Sequence, residues 1–95
     1  MTKEQIIDYL KTHKKEFQKE YEVEQIGLFG SYARDEARED SDIDIFVHMK
    51  PDFFKLVGLK QQIEEYFNIK VDVVRLRDKM NMALKRRILK DGMYV

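Results

Sequence analysis

Residues 28–45 read LFGSYARDEAREDSDIDI. Apolar residues lead up to Gly30-Ser31, and ten residues then separate Ser31 from Asp42-Ile43-Asp44. Glycine allows a positive φ or a close backbone approach, and serine can cap a helix or bind a phosphate oxygen. A helix that begins here presents free amides, which favour an anion. A strand followed by Gly-Ser is also an ordinary boundary between elements, so Gly30 and Ser31 alone are a weak signal.

Asp42 and Asp44 form the second part of the pattern. In a strand their side chains point to the same face, roughly 7 Å apart along the chain. The apolar residues Ile43 and 45–47 indicate that this strand is largely buried. Two carboxylates side by side there raise each other's pKa unless a cation holds them, and Mg²⁺ prefers such hard oxygen ligands. The alternative is that both carboxylates lie at the exposed end of the strand, beside the turn at Ser41.

A third aspartate, Asp72, is flanked by Val71, Val73 and Val74, so it lies in an otherwise core-like strand. If this strand neighbours the second strand in register, Asp72 completes a cluster of three carboxylates. Such a cluster can hold two metal ions, or one metal ion plus a base for an attacking hydroxyl. Alternatively, Asp72 faces solvent from a half-exposed strand.

The joint spacing of these residues resembles the signature of the polymerase-beta-like nucleotidyltransferases, which is Gly-Ser, a gap of about this size, and Asp-x-Asp. The stretch is similar in particular to the minimal nucleotidyltransferase (MNT) family, whose members typically read Phe-Gly-Ser-x-Ala-Arg-Gly and then Ser-Asp-x-Asp. The resemblance extends over essentially the whole chain, although only the central motif is specific. Asp35 stands where the family usually has glycine, and aspartate tolerates a left-handed backbone better than most residues.

The resemblance implies a Mg²⁺-dependent transfer of a nucleoside monophosphate, in which an acceptor hydroxyl attacks the α-phosphate of a nucleoside triphosphate and pyrophosphate leaves. It implies that Asp42, Asp44 and Asp72 bind two Mg²⁺ ions and that Asp72 helps to deprotonate the acceptor. It further implies a nucleotide-binding set consisting of Gly30, Ser31 and Arg34. Arg34 either contacts phosphate or braces the turn by pairing with a nearby acid.

The same resemblance suggests the acceptor. Minimal nucleotidyltransferases are commonly the antitoxins of HEPN-type toxins, which they neutralise by AMPylation with ATP as donor. Because 95 residues leave no room for an acceptor-binding domain, we expect a separate protein acceptor and a hetero-oligomer. One alternative is a non-catalytic module that neutralises its partner by occlusion, which the intact set of acids disfavours. Another is a transferase that acts on a small molecule or on RNA.

Composition agrees with one domain over residues 1–95, since 43% of the residues are apolar and only one is proline. Eighteen basic and eighteen acidic residues cancel, so nucleic acid is not an expected direct partner. No apolar run is long enough to cross a membrane, and the absence of cysteine fits the cytoplasm. Acids are concentrated between Asp35 and Asp44 and bases between Arg75 and Lys90. These segments are either solvated faces, or a cation-collecting loop and a basic element facing an anionic or acidic partner.

Hydrophobic periodicity and boundary residues predict the remaining elements. Helices are predicted over 2–19, 52–68 and 82–90, strands over 23–29, 43–49 and 70–75, a short helix or turn over 32–38, and a short edge strand over 93–95. The link between the first two strands has about the minimum length for a parallel crossover, so length alone leaves parallel and mixed sheets open. We expect an α+β fold: a small mixed β-sheet with flanking helices in the order α-β-α-β-α-β-α, as in the nucleotidyltransferase fold.

Overall fold

The first helix, α1 (Lys3–Tyr21), begins where the sequence predicts it. In the computed structural model, which describes all 95 residues, Thr2 and Gln5 form a capping box. The Thr2 hydroxyl accepts the Gln5 backbone N–H at 3.2 Å, and the Gln5 side chain accepts the Thr2 N–H at 2.8 Å. The helix ends at Glu22, which adopts the left-handed conformation.

The other elements follow the predicted order, with small shifts at their ends. They are β1 (Gln25–Phe29), α2 (Gly30–Ala33), β2 (Ile43–His48), α3 (Phe53–Phe67), β3 (Val71–Arg75), α4 (Met82–Asp91) and β4 (Met93–Tyr94). Asp52 caps α3 as predicted, and the tail forms the predicted edge strand. The short helix predicted over 32–38 is wrong in its bounds. It is one turn that already begins at Gly30, and Asp35 at φ 58° takes the chain out of it.

The sheet has the strand order β3-β2-β1-β4. β1 pairs antiparallel with β2 and with β4, whereas β2 and β3 are parallel and joined by α3. The mixed sheet and the α+β fold are therefore confirmed, and the all-parallel alternative is wrong. The segment between β1 and β2 makes a short return, with α2 at its start, rather than a crossover.

Strand alternation gives the sheet two different faces. One face carries Ile26, Leu28 and Ile45, and α1 and α3 cover it with the larger hydrophobic core. The opposite face carries Phe29 and Phe46, which form a smaller cluster with Leu76 and with Ile88 of α4. Because α4 covers only part of this second face, the start of β2 remains accessible there. None of the helices combines the length and apolar composition that crossing a bilayer requires.

Candidate active site

Asp44 lies where three strands bring different parts of the motif together. On one side it pairs in register with Phe29, the residue before Gly30, and on the other side with Asp72 of β3. Adjacent strands lie about 4.8 Å apart, and paired residues point to the same face. The register therefore brings Gly30, Asp44 and Asp72 side by side, as the sequence predicts for neighbouring second and third strands.

Gly30 is pressed against the Asp44 carboxylate. It is buried and has φ +78°, and a Cβ built on it lies 2.1 Å from Oδ2 of Asp44. No side chain fits there, so the glycine is required both by its backbone conformation and by the close approach. Ser31 follows in the first turn of α2 and is half-buried. The predicted anion-binding turn and the predicted metal-binding carboxylate are thus in direct contact.

The surroundings of Asp44 disfavour its charged form. Burial raises its pKa above the ordinary value, and the neighbouring Asp72 and Asp42 raise it further. The guanidinium groups of Arg87 and Arg34 act in the opposite direction without cancelling the effect. Asp44 is only half-buried, so a ligand can reach it from the open side.

Asp42 and Asp72 are both accessible to solvent. Asp42 lies just before β2 and keeps 37% of its side chain exposed, with Oδ2 3.9 Å from Nζ of Lys70. Asp72 is exposed, so it faces solvent from a half-exposed strand, which was one of the two interpretations of this acid. β3 is an edge strand, and the face on which Asp72 lies is left open beside α4. The three carboxylates share one face, but they do not form a closed set of three metal ligands.

A cleft of about 420 Å³ opens over Asp44 and Asp72. Its lining consists of Phe29, Asp44, Lys60, Asp72, Val73, Val74, Leu84 and Arg87. The two basic residues of this lining, Lys60 and Arg87, were not assigned to the site from the sequence. Arg87 belongs to the basic run after Arg75, for which an anionic or acidic partner was one interpretation, whereas nothing in the sequence distinguishes Lys60 from other helical lysines.

Arg34 braces the turn, because two carboxylates engage its guanidinium group. Its Nε donates to Oε2 of Glu36, and its Nη1 donates to Oδ2 of Asp91, both at 3.1 Å. These hydrogen bonds raise the pKa of the Arg34 guanidinium above its ordinary value. Because Asp91 is the last residue of α4, the pair connects the end of α2 to the end of α4. Of the two interpretations of Arg34, the structure shows the brace.

Comparison with known families matches residues 4–95 to the family described as polymerase beta, nucleotidyltransferase. The chain is 36% identical over 97 residues to protein adenylyltransferase MntA of Thermococcus cleftensis, in an alignment covering 100% of this chain and 97% of the relative. A crystal structure described as a toxin-antitoxin with AMP-PNP superposes with a TM-score of 0.70 at 26% identity, covering 99% of this chain and 72% of that chain.

A third protein is similar in fold. It comes from a structure of a tri-AMPylated Shewanella oneidensis HEPN toxin in complex with an MNT antitoxin. The TM-score is 0.64 at 23% identity, over 92% of this chain and 69% of that chain. The family match over nearly the whole chain and the full-length relative agree with the geometry around Gly30 and Asp44. The chain therefore belongs to the polymerase beta nucleotidyltransferase family, and its relatives there are minimal nucleotidyltransferases of the MntA type.

Proposed function

We propose that this nucleotidyltransferase moves AMP from ATP to a hydroxyl of a HEPN-type toxin and thereby acts as the antitoxin. The observation that carries the proposal is the contact between the Gly30 backbone and the Asp44 carboxylate, with Asp72 beside it in register. This arrangement supports the proposal, because a turn that binds phosphate would then lie next to carboxylates that bind a metal ion. The proposed acceptor comes from the similar proteins: one is named a protein adenylyltransferase, and another is bound to an AMPylated toxin.

A divalent metal and a nucleotide substrate follow from the family. The residues fit such a metal, because Asp42, Asp44 and Asp72 offer hard oxygen ligands on one open face, and burial and the neighbouring acids raise the pKa of Asp44. We assign Mg²⁺ as the metal, with two ions as the number, and Asp42, Asp44 and Asp72 as its ligands. When bound, the ions would neutralise charge on the phosphates of the substrate.

The protein's own groups then position the reaction. The backbone of Gly30 and the hydroxyl of Ser31 bind the β- and γ-phosphates at the start of α2. Asp72, on the open side of the cleft, accepts the proton of the acceptor hydroxyl as its oxygen forms a bond to the α-phosphorus. The bond between that phosphorus and the bridging oxygen breaks, and pyrophosphate leaves. Positioning and charge neutralisation contribute most of the rate in such transfers.

Differently labelled ATP tests the reaction. The chain is mixed with Mg²⁺, the product of the adjacent gene and ATP carrying label in either the α- or the γ-phosphate. The proposal expects α-label on the partner protein and γ-label in pyrophosphate. The substitution Asp44→Asn should abolish both signals, whereas Asp40→Asn, in the exposed loop nearby, should leave them unchanged.

Other outcomes distinguish the alternatives. γ-label on the partner would indicate phosphoryl transfer and contradict the proposal. Inhibition of the partner without label, surviving Asp44→Asn, would indicate a non-catalytic binding module. Label on tRNA or on a small hydroxyl compound, but not on protein, would indicate a different acceptor class.

A cytoplasmic site of action, expected from the absence of cysteine, stays a prediction.

A further inference from the structure

Two arginines lie near the Asp44 carboxylate, and their surroundings differ. Arg34, the arginine of the sequence motif, is engaged by Glu36 and Asp91 through two of its nitrogen atoms. Arg87 lines the cleft and takes part in none of the seven ion pairs of the chain. The guanidinium that is available to a ligand is therefore the one on α4.

The position of Arg87 is determined by how α4 is held. Ile88, the next residue, is 2% exposed and anchors the helix in the smaller core with Phe29 and Phe46. Asp91 lies four residues after Arg87 and hence on the same side of the helix, one turn further on. The Arg34–Asp91 ion pair therefore fixes the same side of α4 that presents Arg87 to the cleft.

The chemistry of the cleft indicates what Arg87 binds. Arg87 already attracts the Asp44 carboxylate, whose pKa it lowers, but a divalent cation bound to the carboxylates would offset that attraction. Such a metal brings phosphate oxygens into the same cleft, and guanidinium forms two parallel hydrogen bonds with phosphate. Arg87 lines this cleft together with Phe29, the residue before the phosphate-binding turn.

We propose that Arg87 is the phosphate-binding arginine of this site, and that Arg34 is a positioning residue that acts on Arg87 through Asp91. This inference rests on the proposed nucleotidyltransferase function. It reverses the assignment implied by the sequence motif, which gave the nucleotide contact to Arg34. It also explains why the two elements, far apart in the chain, are joined by an ion pair next to the cleft.

Calorimetric titration with Mg²⁺ and α,β-methylene-ATP, whose bridge between the α- and β-phosphates cannot be cleaved, tests the contact without transfer. Because a hydrogen-bonded charge pair with phosphate is removed, Arg87→Ala should raise the Kd about 10- to 100-fold. Arg87→Lys should recover part of the loss, since it keeps the charge but not the paired hydrogen bonds. Arg86→Ala is the matched control, because Arg86 is an exposed neighbour on α4 that does not line the cleft. An Arg87→Ala protein that binds as tightly as the control would overturn the inference.

A double-mutant cycle tests the role of Arg34. If Arg34 acts through Asp91, then Arg34→Ala and Asp91→Ala weaken binding by the same factor, and the double variant is no weaker than either. If Arg34 itself contacts phosphate, Arg34→Ala weakens binding much more than Asp91→Ala, and the positioning role is wrong. Far-UV circular dichroism and thermal melts confirm that each variant is folded before it is titrated.

The same titrations separate this inference from the proposed function. A wild-type protein that binds Mg²⁺ and α,β-methylene-ATP but transfers no AMP from ATP contradicts the proposed function, while the comparison of Arg87→Ala with Arg86→Ala still decides the inference. A wild-type protein that does not bind the nucleotide contradicts both.

Discussion

Replacing Gly30 by alanine should damage both stability and transfer, for two reasons that can be read from its geometry. At φ +78°, a residue with a Cβ costs about 1–2 kcal/mol relative to glycine. For a domain of this size, that loss lowers Tm by about 4–8 °C per kcal/mol. In addition, the new Cβ would lie 2.1 Å from Oδ2 of Asp44, so the carboxylate must move by roughly 1 Å to restore an ordinary contact. A displacement of about 1 Å at a reacting centre can reduce a rate about 100-fold.

Thermal denaturation followed by circular dichroism and the initial rate of AMP transfer measure these two effects. We expect Gly30→Ala to lower Tm by about 5–15 °C and the rate about 100-fold. Gly58→Ala is the control, because Gly58 lies inside α3 without a positive φ, and the closest atom to its added Cβ is on the Tyr21 ring, 2.9 Å away. The gain in helix propensity from alanine and the cost of a small shift of the Tyr21 ring should offset one another, so the net change in stability should be small. Equal effects of the two substitutions, or a wild-type transfer rate in Gly30→Ala, would show that the contact of Gly30 with Asp44 is not required.

Three further substitutions test other parts of the structure. Burial and neighbouring acids raise the pKa of Asp44, so its charged form opposes folding. Asp44→Asn should therefore raise the Tm of the metal-free protein at pH 7. The gain should vanish as the pH falls below about 4, where Asp44 is protonated in both the folded and the unfolded protein. Thr2→Ala should lower the free energy of unfolding by about 1 kcal/mol in urea titrations, because it removes the capping box of α1. Ile88→Ala should cost about 2–5 kcal/mol and weaken nucleotide binding as well, because it loosens α4 beside the cleft. A destabilised Asp44→Asn at pH 7, an unchanged Thr2→Ala, or an Ile88→Ala with wild-type stability would each contradict the corresponding argument.

Local sequence signals predict most of the elements, because those signals act over a few residues. The Thr2–Gln5 capping box, the Asp52 cap and the strand alternation of Asp42 and Asp44 all depend on near neighbours. The antiparallel pairing of β1 and β2 depends on which strand edges meet, and the length of the link did not determine it. The same is true of the bounds of α2, where one left-handed residue, Asp35, ends the helix.

The candidate site, like the fold, could be predicted from the sequence only in part. Spacing predicts that Gly30, Ser31 and the aspartates belong together, and the register of β1, β2 and β3 brings Gly30, Asp44 and Asp72 side by side. The valine run around Asp72 leaves burial and exposure both open, because exposure there depends on β3 being an edge strand and on how far α4 extends over the sheet. The contributions of Lys60 and Arg87 arise only when α3 and α4 pack against the sheet.

The intact mass of the partner protein after co-expression with this chain tests the proposed AMP transfer most directly. We expect a partner carrying one or more AMP adducts when the wild-type chain is present, and an unmodified partner with Asp42→Asn or Asp44→Asn. An unmodified partner that is nevertheless neutralised by wild type and by both variants would contradict the proposed AMP transfer.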